Sequence, residues 1–192
     1  MKKSVKFFYD LVSPYSYLAA VQIEELEQRT ECCVVWEPLY LTGLMRLTGN
    51  QPPQVLEARR RYFFEQDLSR MACYLQVPYQ KPESFPIQSA QVMRALLALD
   101  NERKAEKSLL LYEMHWGEGY NISDEMLLRE VLGDEAVDFS STEQAKQLLK
   151  QQTGLAAELG AFGAPTFFVD NAMFFGCDRI SLLEYFLQSE NE

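Results

Sequence analysis

No two cysteines of this chain stand in the Cys-x-x-Cys spacing that dithiol chemistry uses. The four present are Cys32, Cys33, Cys73 and Cys177, two of them adjacent, and His115 is the one histidine. The spacing argues against a dithiol redox couple. So few thiols and imidazoles argue equally against a zinc site. The expected state is reduced thiols in a cytoplasmic setting. Basic residues are scarce too: 18 Lys and Arg stand against 28 Asp and Glu, a formal net charge of -10. That surface lacks the clustered cations that nucleic acid and anionic membranes require. A small anion remains possible wherever a local site is positive. No apolar run reaches the length that spans a bilayer. Met1-Lys2-Lys3 leads into a strand containing Lys6 and Asp10 rather than an apolar stretch, so no secretory signal is expected.

What is present is ample apolar material. With 192 residues, 47% hydrophobic and 24% charged, the chain fits one domain or a domain with a large insertion. Residues 4–9 are β-branched and aromatic and predict a strand buried on both faces. Residues 16–28 predict a helix, with Ala19, Ile23 and Leu26 on one face. Residues 32–36 predict a second strand, stopped by Pro38, so the chain opens as a parallel βαβ unit. Thr42-Gly43 and Gly49-Asn50-Gln51-Pro52-Pro53 predict loop. Residues 55–159 are then expected to be almost wholly helical, with Lys81-Pro82-Glu83-Ser84-Phe85-Pro86 as a connector. One or two helices are expected over 59–75, ending near Pro78, and further helices over 89–99 and 102–116. Another is capped by Ser123 or Asp124 and ends near Gly133. A last one runs to Leu159 behind the capping-box spacings Ser140-x-x-Glu143 and Ser141-x-x-Gln144. Strands at 166–169 and 172–175 follow, joined by the Asp170-Asn171 turn, and a helix over 179–187 closes the chain.

The order βαβ, helical block, ββα is an α/β, thioredoxin-like fold with a large all-helical insertion, as in the DsbA-like branch. The thioredoxin-like part is expected at 1–54 and 160–192, and the insertion at 55–159. In that frame Ser13-Pro14-Tyr15-Ser16 falls at the turn from first strand to first helix, where thioredoxin-type proteins carry Cys-x-x-Cys. Taken alone it is a good helix start, serine as N-cap and proline at the first position. In the frame, its hydroxyl and helix N-terminus suit a thiolate brought from outside. Ser13 is the candidate hydroxyl and Ser16 the structural one.

Three other segments bear on the same site. Gly163-Ala164-Pro165-Thr166 precedes the third strand and predicts a cis Ala164–Pro165 bond with the Ala164 backbone open to a peptide. In Gly176-Cys177-Asp178-Arg179, Asp178 either N-caps the last helix or pairs with a ligand ammonium, and the two roles are compatible. Arg59-Arg60-Arg61 is mostly a solvated helix face, with Arg59 the best placed to reach a ligand carboxylate. His115 beside Trp116 is expected to pack rather than react, and Cys177 to be a packed or backbone-contact residue.

Ser-Pro-Tyr-Ser-Tyr-Leu-Ala, Gly-Asn-Gln-Pro-Pro, Phe-Gly-Ala-Pro and Phe-Gly-Cys-Asp-Arg together resemble the kappa-class glutathione transferases and the bacterial 2-hydroxychromene-2-carboxylate isomerases. The resemblance covers essentially the whole chain. It implies glutathione as cofactor, with Ser13 catalytic and Ser13, Pro14, Tyr15, Asn50, Arg59, Ala164, Cys177 and Asp178 binding it. Arg59 falls where the kappa class has a lysine, and Cys177 where the residue is usually small or polar. The implied partners are a small-molecule electrophile or an aromatic-degradation intermediate, and a second copy of the chain in a homodimer. The segment from Leu41 to Pro53 looks more like the kappa class, and the isomerases have a lysine about where Met45 stands. The expectation is therefore a transferase or peroxidase, with the isomerase as alternative and a non-catalytic binding module behind both.

Overall fold

The computed structural model of the chain describes residues 2–189. β1 (Ser4–Tyr9) sits between β2 (Cys33–Pro38) and β3 (Thr166–Val169), and β4 (Ala172–Phe175) completes the order β2-β1-β3-β4. β1 and β2 run parallel, whereas β1–β3 and β3–β4 are antiparallel. Period-two alternation sends Val5, Phe7 and Tyr9 to one face of β1 and Phe8 to the other, and all four are fully buried. Register places Phe7 opposite both Trp36 and Phe167, with ring centroids 5.0 and 4.8 Å apart. Burying each such ring contributes about 1.5–3 kcal/mol. Pro38, which ends β2, is tolerated because β2 is an edge strand.

The crossover between the parallel strands is two helices rather than the single one expected over 16–28. α1 (Pro14–Ala20) and α2 (Ile23–Thr30) are separated at Val21 and Gln22. There the Gln22 amide donates to the carbonyls of Leu18 and Cys177 at 2.7 and 3.3 Å, engaging groups outside a regular helix ladder.

The segment expected as loop at Thr42-Gly43 is α3 (Leu41–Thr48). A Cβ on Gly43 would lie 2.9 Å from Cδ1 of Tyr40, so this glycine serves close packing, not a turn. The expected Gly49 break is real: Gly49 ends α3 at φ 69°.

Between β2 and β3 the remaining regular elements are helical. α4 (Glu57–Tyr62) continues through a π turn (Phe63–Asp67) into α5 (Leu68–Tyr74). α6 (Ala90–Leu96) and α7 (Asn101–Tyr112) follow, the latter ending in a second π turn (Glu113–Gly117). α8 (Glu125–Leu132) is capped by Asp124, which accepts from the amides of Met126 and Leu127. α9 (Asp134–Ser140) precedes α10 (Glu143–Glu158). Neither predicted capping box is used. Thr142 Oγ1 accepts from Ala145 N at 3.1 Å and caps α10, because Ser140 is still inside α9 with its hydroxyl on Val137 O. A 3-10 turn (Cys177–Arg179) leads into α11 (Ile180–Ser189).

Helices cover both faces of the sheet. One buried cluster runs from Phe7, Trp36 and Phe167 to Tyr112 and Trp116 of the helical block. On the other face Phe8 and Phe168 pack with Leu44 of α3 and Ala156 of α10. The architecture is the thioredoxin-like sheet with a helical insertion between β2 and β3. Among the described residues, no helix is long and apolar enough to cross a membrane.

Candidate active site

Ser13 is 5% exposed and holds the N-cap position of α1, with φ −91° and ψ 113°. Its Oγ accepts from Ser16 N at 3.2 Å and donates to the carbonyl of Ala164 at 3.0 Å. Pro14 takes the first helical position, where its missing N–H costs nothing. The Ala164–Pro165 bond is cis, as expected, and the Ala164 carbonyl meets Ser13 across the join between α1 and β3. A second cis bond, Phe85–Pro86, had no expectation attached to it.

These two loops open into a cavity of about 820 Å³ that Ser13, Pro14, Tyr15, Asn50, Arg59, Ala164, Cys177 and Asp178 all line. Residues far apart in sequence, from five separate segments, thus meet at one surface. Asn50 is also a strut: its Nδ2 donates to Phe162 O at 2.7 Å and its Oδ1 accepts from Gln51 N at 2.8 Å. Arg59 reaches the cavity from α4, whereas Arg61 pairs with Glu65 at 3.7 Å. Arg46 of α3 adds a second cation to the lining.

Asp178 does not cap the last helix. It falls inside the 3-10 turn, Gly176 occupies the cap position at φ 108°, and the Asp178 carboxylate accepts from Arg179 at 2.6 Å. A Cβ at residue 176 would stand 2.5 Å from Asp178 Oδ1, so glycine there lets the carboxylate lie close over the backbone. Cys177 is buried, and burial followed by the nearby charges of Asp178 and Asp67 pushes its thiol up to about 12.

Two carboxylates of the site escaped the sequence reading. Asp67 accepts from Tyr15 at 2.6 Å and from Tyr62 at 3.1 Å. Burial, then Asp67 itself, raises the Tyr15 hydroxyl far above its ordinary range. Tyr62 and Asp67 are five apart, a spacing that places side chains away from each other on a regular helix. The π turn between them brings them together. Asp10, beneath the Ser13 turn, is fully buried, and burial raises its carboxyl to about 6 despite three hydrogen bonds that oppose this. Its only sequence signal is a charge at the end of an apolar strand.

A hydroxyl at a helix N-terminus, facing a backbone carbonyl beside a cis-proline in a cavity with cations and carboxylates at its rim, defines a thioredoxin-fold site in which serine replaces the dithiol. The DSBA-like thioredoxin domain family model matches residues 4–188. The chain is 30% identical to 2-hydroxychromene-2-carboxylate isomerase of Sphingobium xenophagum, over 97% of this chain and 99% of the relative. It is 30% identical to human glutathione S-transferase kappa 1, over 97% and 92%. A solved structure of 2-hydroxychromene-2-carboxylate isomerase superposes with a TM-score of 0.87 at 26% identity, covering 97% of this chain and 95% of that one. The chain therefore belongs to the DsbA-like thioredoxin family, in the branch of kappa-class glutathione transferases and 2-hydroxychromene-2-carboxylate isomerases.

Proposed function

We propose that this chain is a glutathione-dependent enzyme that activates the glutathione thiol for attack on a small electrophile. The observation that carries the reading is the Ser13 hydroxyl, held at the start of α1 and bonded to Ala164 O at 3.0 Å on the cavity lining. The donor set fits the tripeptide, which has two carboxylates, an ammonium and a thiol. Arg59 and Arg46 complement the carboxylates, Asp178 the ammonium, and the Ala164 backbone and Asn50 the peptide groups. When bound, glutathione supplies a sulfur nucleophile.

The chain's own residues lower the cost of ionising it. Ser13 Oγ turns its proton from Ala164 O toward the sulfur, and the positive end of α1 favours the anion. Each such interaction is worth about 1 kcal/mol or more when desolvated, and about 1.4 kcal/mol moves a pKa by one unit. Cys177, its thiol held protonated by burial, contributes shape and backbone rather than a second nucleophile. Tyr15, Phe63, Phe64 and Phe85 give the second substrate an apolar wall.

The isomerase reading rests on the TM-score of 0.87 to the solved isomerase. It needs the same activated sulfur and differs in fate: a transferase product retains the sulfur, whereas an isomerase returns glutathione unchanged. The reading includes a reduced cytoplasmic setting, consistent with four free cysteines, and a homodimer, which sedimentation would check. Calorimetric titration with reduced glutathione, followed by mass analysis of products from electrophiles, peroxides and hydroxychromene carboxylates, tests it. Saturable binding with ordinary thiol ionisation would move the chain to the binding-module reading.

A further inference from the structure

Asp10 has a buried carboxylate whose three hydrogen-bond partners are all neutral, and each belongs to a different part of the site. Oδ1 accepts from Val12 N at 3.0 Å, within the turn that carries Ser13. Oδ2 accepts from Leu41 N at 2.8 Å and from Ser89 Oγ at 2.9 Å. Leu41 is the first residue of α3, one of the cavity walls, and Ser89 follows the wall residues Ile87 and Gln88 directly. The Asp10 carbonyl accepts from Ser13 N at 2.9 Å and from the Tyr112 hydroxyl at 3.2 Å.

The helix α3 needs this outside help. Its N-cap residue, Tyr40, makes no side-chain cap, so a free amide at its start is satisfied by a residue 31 positions away. A negative group at a helix N-terminus is also favoured by the macrodipole. An amide cannot replace the carboxylate. Asparagine offers one acceptor oxygen and turns an NH2 toward at least one backbone N–H, leaving a buried donor unpaired. The titratable groups that face Asp10 are Tyr9 of β1 and Tyr112 of α7, both fully buried and held protonated by burial.

We infer that Asp10 is a positioning residue for the Ser13 hydroxyl. One buried carboxylate joins the Asp10–Ser13 turn, the start of α3 and the approach to α6 into a single frame. That frame aims Ser13 Oγ at the cavity. The inference rests on the glutathione reading for the chemistry that Ser13 performs.

The test follows the thiolate absorbance of bound reduced glutathione against pH in the wild type, Asp10→Asn, Ser13→Ala and the double variant. In Asp10→Asn the bound thiol should ionise about one pH unit higher, a tenfold smaller thiolate fraction below that point. In the double variant it should ionise no higher than in Ser13→Ala alone, because Asp10 acts through Ser13. A wild-type value in Asp10→Asn overturns the inference. So does an effect fully additive to Ser13→Ala, which would mark general loosening. A lower ionisation point also overturns it, since the charge and not the frame would then matter. If Asp10→Asn does not fold, Ser89→Ala removes one donor of the three and should move the thiol upward by less; a wild-type value there overturns the inference. Ordinary ionisation of glutathione in the wild-type complex would defeat the glutathione reading and this inference together, so the two failures are distinguishable.

Discussion

The hydroxyl of Ser13 and the carbonyl of Ala164, 151 residues apart in sequence, are joined by a 3.0 Å hydrogen bond. A ligand sulfur that takes the Ser13 proton must replace that bond with a charge-assisted one, which is stronger. The serine therefore has a resting partner that holds its rotamer without committing its proton.

Ser13→Ala should lose about 100-fold or more in turnover while retaining glutathione binding, as expected for removal of one donor to a developing anion. Steady-state rates with an activated electrophile, set beside calorimetric titration, check this. Wild-type turnover in the variant would remove Ser13 from the mechanism. The same change deletes an N-cap and should lower stability by about 1 kcal/mol.

Asp178 is solvent-exposed and, among the described residues, paired only with its neighbour Arg179, so its loss should leave the fold intact. Asp178→Ala should weaken glutathione about tenfold with little change in melting temperature. Unchanged affinity would place the ligand's ammonium elsewhere.

Thiol reactivity should divide by exposure. Cys33 and Cys73 are exposed, whereas Cys32 and Cys177 are buried, the latter with its thiol pushed up to about 12. At mildly alkaline pH the Cys177 thiolate fraction is about three orders of magnitude below that of an ordinary cysteine. Brief iodoacetamide treatment followed by peptide mass mapping should mark Cys33 and Cys73 and spare the other two. Rapid labelling of Cys177 would mean that its site is open and polar.

Two buried groups pull acid stability in opposite directions. His115 pairs Nδ1 with Tyr120 O at 2.8 Å, its Nε2 has no partner, and burial lowers its pKa. The unfolded chain takes that proton first, so stability drains away as pH falls below about 6.5. Asp10 behaves oppositely: its carboxyl is raised from 3.8 to about 6 in the fold. The stability this contributes is fully present below the unfolded value and is lost as pH rises through about 6. Asp10→Asn removes the second effect and keeps the first. Between about pH 7.5 and about pH 5 its urea midpoint should therefore fall more steeply than that of the wild type. Parallel slopes would show that Asp10 is already ionised across that range.

The strands were legible because aromatic and β-branched residues crowd them, and the convergence of the candidate residues on one cavity because short segments with turn and cap chemistry carry them. The helix α3 was not legible, since Thr42-Gly43 reads as a turn until the Tyr40 ring is seen above the glycine. The break at Val21-Gln22 depends on a glutamine that reaches Cys177, 155 residues away. Asp10 and Asp67 were missed for one reason: each matters through partners that only the fold brings near. Thr142 took the cap from two serines because α9 extends to Ser140, a boundary that propensity does not mark.

The π turn at Phe63–Asp67 is one residue of slack in the cavity wall of this chain. It accommodates one residue more than a regular helix would between Arg59 and Leu68. Because the widened turn absorbs that residue, deleting one there would restore an unbroken α-helix while α4 and α5 keep their faces. Arg59 would keep its place on the cavity rim, and the change would fall on the turn's own side chains, Phe63 and Phe64 of the cavity wall among them. The Ser13 turn and the cis-proline loop would not move. The apolar wall of the cavity can thus be re-cut by a single codon gained or lost, with the Ser13–Ala164 contact left as it is.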